Sequence, residues 1–468
     1  MNQRRHQATA SVLLRAMWLS CALFLTSTAV VAQITSVPIT VLQHVNVIDG
    51  NGGVPRHDAT VVIHGTKIRS VTSGHLALPA GAKTIDLSGK TIMPELINVH
   101  GHLGLLRGTK TAAANYTEDN VKRQLLQYQE YGVGAVLVMG RDRDEAYGWR
   151  AQSHEGTLPG ALLYTAGRGF GVPQGLPPAT MGADEIYRPA TPEEARSDVR
   201  ELARHHPDVV KMWVDDFYGQ YPKMKPEIYG AIIDEAHKQH LRVAAHLYHE
   251  EDAQRLVDDG VDIFAHSVRD AEIPDSLIAE MKRKHVSYIG TLALDQFAIA
   301  YADDPSWLGQ QFFRRSLEPG VYEMITSEAY KHTVAAAQST QKEQTALPIA
   351  LRNIKRAYDA GIPVALGTDS GATPVRPYGF SEHMELQLLV RAGLTPLQAI
   401  TVGTKNGARL LGAEDEIDTL TPGHEASFIV LDKDPSADIR NTETISAVWK
   451  AGKQVSAGPL AVAAAPQK

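Results

Sequence analysis

Eight short apolar runs, each followed by helical spacing or a turn-rich connection, constrain this 468-residue chain more than any other feature. In order they are "TIMPELINVH", "GVGAVLVMG", "ALLYTAGRGF", "DVVKMWVDD", "RVAAHLY", "VDIFAHS", "SYIGTLAL" and "PVALGTDS". Runs of this length and composition read as strands buried on both faces, as parallel sheets require. Helices fit the gaps: Thr191-Pro192-Glu193-Glu194 is a helix start before "ARSDVRELARHH", and "PEIYGAIIDEAHKQH" and "EEDAQRLVDDG" keep helical spacing. This alternation predicts an α/β fold, a (β/α)8 TIM barrel; a doubly wound sheet is the alternative, and eight strands in ~280 residues favour closure. The flanks differ: residues 39–97, "ASFIVLDKD" and "ISAVWKAGKQV" all read as short strands between turns. A long interruption from Asp295 to about Thr345 reads equally as a substrate-covering insertion or an ordinary surface one.

The first residues follow another logic. "MNQRRHQATASVLLRAMWLSCALFLTSTAVVAQ" carries Arg4, Arg5 and Arg15, then an apolar run, then small residues. That is a secretory signal pattern, and it predicts export to the periplasm or the extracellular space with cleavage after Ala32. An uncleaved anchor is the alternative, but the run from Ala16 to Ala32 is at the short edge of the ~20 residues a span needs. Cys21, the only cysteine, lies inside this segment, so the mature chain would have neither disulfides nor thiol chemistry. Removing residues 1–32 takes away three Arg and no acids, moving the formal charge from -7 to -10. Such a chain has no electrostatic reason to seek nucleic acid or an anionic membrane.

Polar residues at the C-terminal ends of buried strands call for an explanation. His100 and His102 follow the first run, Lys211 lies in the fourth, His246 in the fifth, His266 in the sixth and Asp369 in the eighth. Strand side chains alternate, so His100 and His102 can face one side together, with the small Gly101 letting the strand end bend between them. Alone, H-x-H is weak evidence for a metal. Lys211 is more informative, because an unpaired ammonium within "VVKMWV" costs several kcal/mol of desolvation. It is neutralised by an ion pair with Asp215 or Asp216, reaches the strand end by snorkelling, or takes up carbon dioxide as a carbamate. In the fifth run Ala244, His246 and Tyr248 share a face; in the eighth Ala365, Gly367 and Asp369 do. Small residues beneath polar tips leave room for a site.

With "MPELINVHGH", "VVKMWVDD", "RVAAHLYH", "VDIFAHSVRD", "ALGTDSG" and "TPLQAITVGTKNGARLLG" in one chain, the sequence resembles the metal-dependent amidohydrolase superfamily. It is most similar to the imidazolonepropionase-like and Xaa-Pro-dipeptidase-like branch, over nearly all of residues 39–456. The resemblance implies a hydrolase barrel over 93–415 and a small β-sandwich domain split between 33–92 and 416–460, after the signal peptide 1–32. It implies that His100, His102 and Asp369 hold one divalent metal ion, His246 and His266 a second, and N6-carboxylysine at Lys211 bridges both. Zinc is the default, with manganese, iron and cobalt open.

The implied reaction is hydrolysis of the C-N bond of a small amide, dipeptide-like or cyclic substrate by a hydroxide bridging the two metals. Asp369 would be general base and proton shuttle. Tyr248 would donate to the developing oxyanion or simply pack at the mouth. Arg168 and Arg269 are candidates for a substrate carboxylate, though Arg269 and Asp270 could pair with each other. Trp213, Asp215 and Asp216 would line the mouth or brace Lys211; His154, His237, His240, His249, His285, His332, His383 and His424 read as structural or surface residues.

Two departures stand out. Pro94-Glu95-Leu96-Ile97-Asn98 replaces the usual Pro-Gly-Leu-Ile-Asp and leaves the ligands intact. "GRGFGVPQGLPPAT" has Gln174-Gly175-Leu176 where dipeptidase-like relatives often have Gly-Gly-His-Gly, which puts dipeptidase activity, but not hydrolysis, in doubt. Lactone, ester or cyclic-amide hydrolysis on the same site is the nearest alternative, and an inactive binding protein a more distant one. The oligomeric state stays open, a homo-oligomer included.

Overall fold

The computed structural model describes residues 37–74, 76, 81–414, 417 and 419–461. The expected signal segment lies outside them. The apolar runs form eight parallel strands: β1 (Leu96–Gly101), β2 (Val133–Val138), β3 (Leu162–Thr165), β4 (Val210–Trp213), β5 (Val243–His246), β6 (Ile263–Phe264), β7 (Ser287–Ile289) and β8 (Val364–Ala365). β3, β2 and β1 make one parallel sheet, and β4 through β8 a second in sequence order. Isolated parallel bridges join their ends, Phe170 to Met212 and Gly101 to Ser370. At the second junction Val99 donates to the Leu366 carbonyl at 2.9 Å and His102 to that of Ser370 at 2.8 Å.

The α/β alternation comes from local signals. Thr117 and Thr191 cap the helices Glu118–Glu130 and Pro192–Ala203, accepting from Asn120 and Glu194, and Pro192 opens the second where its missing N–H costs nothing. The latter helix buries Ala195, Val199 and Leu202, one stripe at four- and three-residue spacing. Among the described residues no helix is long and apolar enough to cross a membrane.

The two ends of the chain meet in one sheet. The strand Ile39–Val47 pairs with Arg56–His64 on one side and with Lys83–Asp86 and Thr91–Pro94 on the other. Thr91–Pro94 then pairs with Phe428–Leu431, which continues through Ile445–Lys450 to Lys453–Ser456. Its apolar face carries Val45, Val61, Ile92, Phe428 and Trp449. Thr91–Pro94 runs almost directly into β1, so this sheet anchors the strand that carries His100.

The strands are shorter than the runs that announced them. β6 stops at Phe264 and β8 at Ala365, so His266 and Asp369 stand on the loops just past the strand ends. Asp369 has left the extended conformation altogether, with φ +57°, a region that aspartate tolerates better than most residues. At Gly101 the pairing of β1 with β2 shifts register, and a Cβ there would lie 2.8 Å from the Tyr128 hydroxyl and 2.9 Å from Val136 Cγ2, so the glycine also serves close packing.

Candidate metal centre

His100, His102 and Asp369 are brought together, each offering a ligand atom within 4.8 Å of the others, and all three are buried. Asp369 Oδ1 lies 2.8 Å from His102 Nε2 and 3.5 Å from His100 Nε2. His266 joins from the next strand ends, its ring 4.6 Å from that of His100 and 4.1 Å from that of His246. His100 Nδ1 faces the Ala265 carbonyl at 2.7 Å and therefore carries the proton, which leaves Nε2 with a lone pair turned toward Asp369. His266 Nδ1 is held by Thr291 Oγ1 at 2.8 Å. Among the described residues His102 Nδ1 is buried without a hydrogen-bond partner. Burial, reinforced by the Lys211 charge, holds His100 and His266 well below the ordinary imidazole range and lowers His246; His102 falls to about 4. Neutral imidazoles with free lone pairs are what a divalent ion requires.

Lys211 is fully buried and its Nζ has no hydrogen-bond partner among the described residues. Burial pushes its pKa down to about 7. Neither bland resolution of this lysine is present. Asp215 instead sits 3.0 Å from His246 Nε2, Asp216 accepts from the Gly219 N–H at 2.9 Å, and the ammonium does not reach solvent. Gly140 accommodates the lysine stem: its φ is +85°, and a Cβ would come within 2.7 Å of Lys211 Cγ. Asp369 is raised by burial but held well below the carboxylate range by Arg376 and His102.

The imidazoles, Asp369 and Asp215 line a cavity of about 300 Å³. Its lining includes the apolar Leu176, Pro177, Pro178, Met181 and Trp213 as well as Tyr218, Tyr248, Arg269 and Glu343. Ala298, Ser339 and Glu343 bring the long insertion into this lining. Tyr248 therefore reaches the cavity, with the Arg269 guanidinium 4.6 Å over its ring and Tyr218 edge-on at 5.3 Å.

The two arginine candidates fare differently. Arg269 lines the cavity but does not pair with Asp270; its Nε is 3.1 Å from Asp295 and 3.5 Å from Glu343, while Asp270 engages His249 at 2.9 Å. Arg168 is not brought to the cavity wall and pairs with Asp144 at 2.7 Å. His383 is buried between Thr442 and the Tyr131 carbonyl, and His237 pairs with Asp262. The sequence reading missed Arg141 and Arg376, both in the cavity wall. Arg141 was findable, since it directly follows "VLVMG" at the end of β2, where the reasoning applied to the histidines holds equally.

Comparison with known proteins bears on what this cavity does. A model of the amidohydrolase family matches residues 91–455. Ochratoxinase of Aspergillus niger is 26% identical over 317 residues, 63% of this chain and 58% of that protein, so the match spans less than two thirds of the relative. Imidazolonepropionase of Deinococcus deserti is 39% identical over 107 residues, 22% of this chain and 26% of the relative. The crystal structure of a Xaa-Pro dipeptidase with bound methionine superposes with a TM-score of 0.70 at 21% identity, over 89% of this chain and 99% of the other. That of A. niger ochratoxinase gives 0.68 at 21%, over 91% and 97%; at this identity both show a shared fold. With the family match running from the strand before β1 to the last strand of the chain, this protein belongs to the amidohydrolase family, within the metal-dependent amidohydrolase superfamily.

Proposed function

We propose that this chain is an exported hydrolase that cleaves the C–N bond of a small amide at a centre for two divalent metal ions. The observation that carries the reading is Lys211, a buried amine with no hydrogen-bond partner among the described residues, set among four imidazoles and a carboxylate at parallel strand ends. The bridges at both junctions of the two parallel sheets support a closed (β/α)8 barrel, whose C-terminal face is where such sites are built. The sheet shared by both chain ends supports a small β domain beside it, with boundaries near 33–92 and 416–460.

The donor set fits the metals. His100, His102 and Asp369 would hold one ion, His246 and His266 the other, with Lys211 between them; imidazole and carboxylate donors suit zinc. A pKa near 7 leaves much of Lys211 as free amine at neutral pH. That amine adds carbon dioxide, forming an N–C bond and releasing one proton, to give an anionic carbamate in place of an uncompensated cation. Bound divalent ions supply a water acidic enough to attack at neutral pH and polarise the scissile carbonyl. Asp369, ionised at working pH, accepts the proton of the attacking water and delivers it to the leaving nitrogen. The Tyr248 hydroxyl, on the cavity wall, donates to the developing oxyanion. Its ring is held by Arg269.

The name of one similar protein, a Xaa-Pro dipeptidase, points to dipeptide-like amides as first substrates to try, and N-acyl amino acids share their scissile bond and carboxylate. The cavity has Leu176, Pro177 and Pro178 where a histidine loop was absent from the sequence, which favours apolar acyl groups over plain dipeptides. Metal analysis together with a panel of N-acyl amino acids, dipeptides, lactones and cyclic ureides tests the reading. Two metals per chain and amide turnover are expected. Well under one metal after supply of zinc and bicarbonate, or lactone turnover alone, sinks it. Export is checked by the mass of the mature chain, which should begin at Gln33.

A further inference from the structure

Three guanidiniums line the cavity, and two of them already have carboxylates. Arg269 lies between Asp295 and Glu343, and Arg376 is paired with Asp369. Arg141 is only 5% exposed and has no carboxylate within ion-pair distance among the described residues. Its Nη1 donates to the Ala372 carbonyl at 3.3 Å, its Nη2 to the Met181 carbonyl, and its Nε is buried with no hydrogen-bond partner among the described residues. A guanidinium has five N–H donors in a planar fork, so most of this one is uncommitted. The two carbonyl bonds explain a clamp between the loops at Met181 and Ala372. They explain neither the absence of a directly paired carboxylate nor the orphaned Nε, and the buried cation is offset only at longer range, by Asp369 and Asp142.

Position adds chemistry to this. Arg141 follows Gly140, which packs on the stem of Lys211, and it shares the cavity with Leu176, Pro177, Met181 and Trp213. An anion reaching it therefore sits beside the reacting centre with an apolar wall along its flank. We propose that Arg141 is an anion subsite that takes a carboxylate of the substrate, so that this enzyme selects apolar or aromatic amides bearing a carboxylate near the scissile bond. The proposal rests on the hydrolase reading above and adds the residue that sets specificity. Planar carboxylates match the Arg fork, whereas a neutral amide of the same shape would leave the cation unpaired.

The test uses the full metal-loaded chain and two probes of one shape, 3-phenylpropanoate and the neutral 3-phenylpropanamide, titrated calorimetrically. The wild type should bind the acid about 10- to 100-fold more tightly than the amide, the worth of a charge-assisted pair. Arg141→Met should abolish that preference while leaving amide affinity unchanged, and Arg141→Lys should restore part of it. A loss of the loop clamp alone would weaken both probes equally. An acid preference that survives Arg141→Met assigns the carboxylate to the metals or Arg376 and overturns the proposal, as does equal binding of the two probes by the wild type, a measurement independent of any variant's folding. Turnover is read separately. Acid preference without hydrolysis of the substrate panel sinks the hydrolase reading and leaves the subsite, while hydrolysis without acid preference does the reverse.

Discussion

A fully buried lysine with no acceptor is stable only if its charge is removed or matched, because desolvating an unpaired ammonium costs several kcal/mol. Lys211→Ala is therefore expected to lose most bound metal and to lower kcat/KM by about 1,000-fold or more, as for other parts of a centre acting as a unit. Metal analysis by mass spectrometry beside steady-state kinetics checks this; wild-type metal content and activity in the variant would remove Lys211 from the centre. Tyr248 gives a milder expectation. Tyr248→Phe keeps the ring under Arg269 and deletes only the hydroxyl, so kcat should fall about 100-fold, the worth of one oxyanion donor, with KM little changed. A kcat within a factor of three of wild type would return Tyr248 to the role of packing aromatic. These residues were legible in the sequence because each is a polar interruption at the end of an apolar run. Arg376 was not, since no strand leads to it and its meaning comes only from Asp369 beside it.

At the scale of elements, strand ends and the turns after them decide the site. The β2 end shows this: Gly140 has positive φ and leaves room for the Lys211 stem, so Gly140→Ala adds both backbone strain and a clash. A loss of about 2 kcal/mol with lowered metal content is expected, measured by denaturant unfolding and metal analysis. A neutral outcome would mean that the lysine stem moves freely, contrary to its packing. By contrast Thr191→Ala removes only a helix cap, at about 1 kcal/mol, and should leave metal content and kcat untouched. Helix Pro192–Ala203 was readable from that cap and its proline. The bounds of β6 and β8 were not, because periodicity in a run does not mark where the backbone leaves the sheet to carry His266 and Asp369.

The molecule as a whole buries several carboxylates outside the centre. Burial raises Glu95, Asp142 and Glu443 to about 7 and Glu385 to about 8. An acid raised in the folded state holds its proton longer there than in the unfolded chain, so stability is full below the unfolded value and falls as pH rises toward the folded one. In the metal-free protein these carboxylates should thus contribute a loss of stability between about pH 5 and pH 8, opposed below the ordinary imidazole value of 6.5 by the lowered histidines. Glu385, which accepts from the Leu292 and Ala293 N–H groups at 3.0 and 2.7 Å, contributes over the widest range. Glu385→Gln should flatten the slope of the unfolding midpoint against pH in the presence of chelator, whatever its effect on the midpoint itself. An unchanged slope would show that Glu385 stays ionised in the fold.

Sequence alone marked the alternation of buried strands and capped helices and six polar residues in or just past those strands. Both are local matters, set by hydrophobic period and by the cost of polar groups in apolar runs. Only the tertiary structure decided how the arginines are spent. Arg269 meets Asp295 and Glu343, Arg168 meets Asp144, Arg376 meets Asp369, and Arg141 meets no carboxylate among the described residues. Those pairings join loops whose spacing carries no period, and a charge's partner is set by distance in space, which the order of residues does not encode.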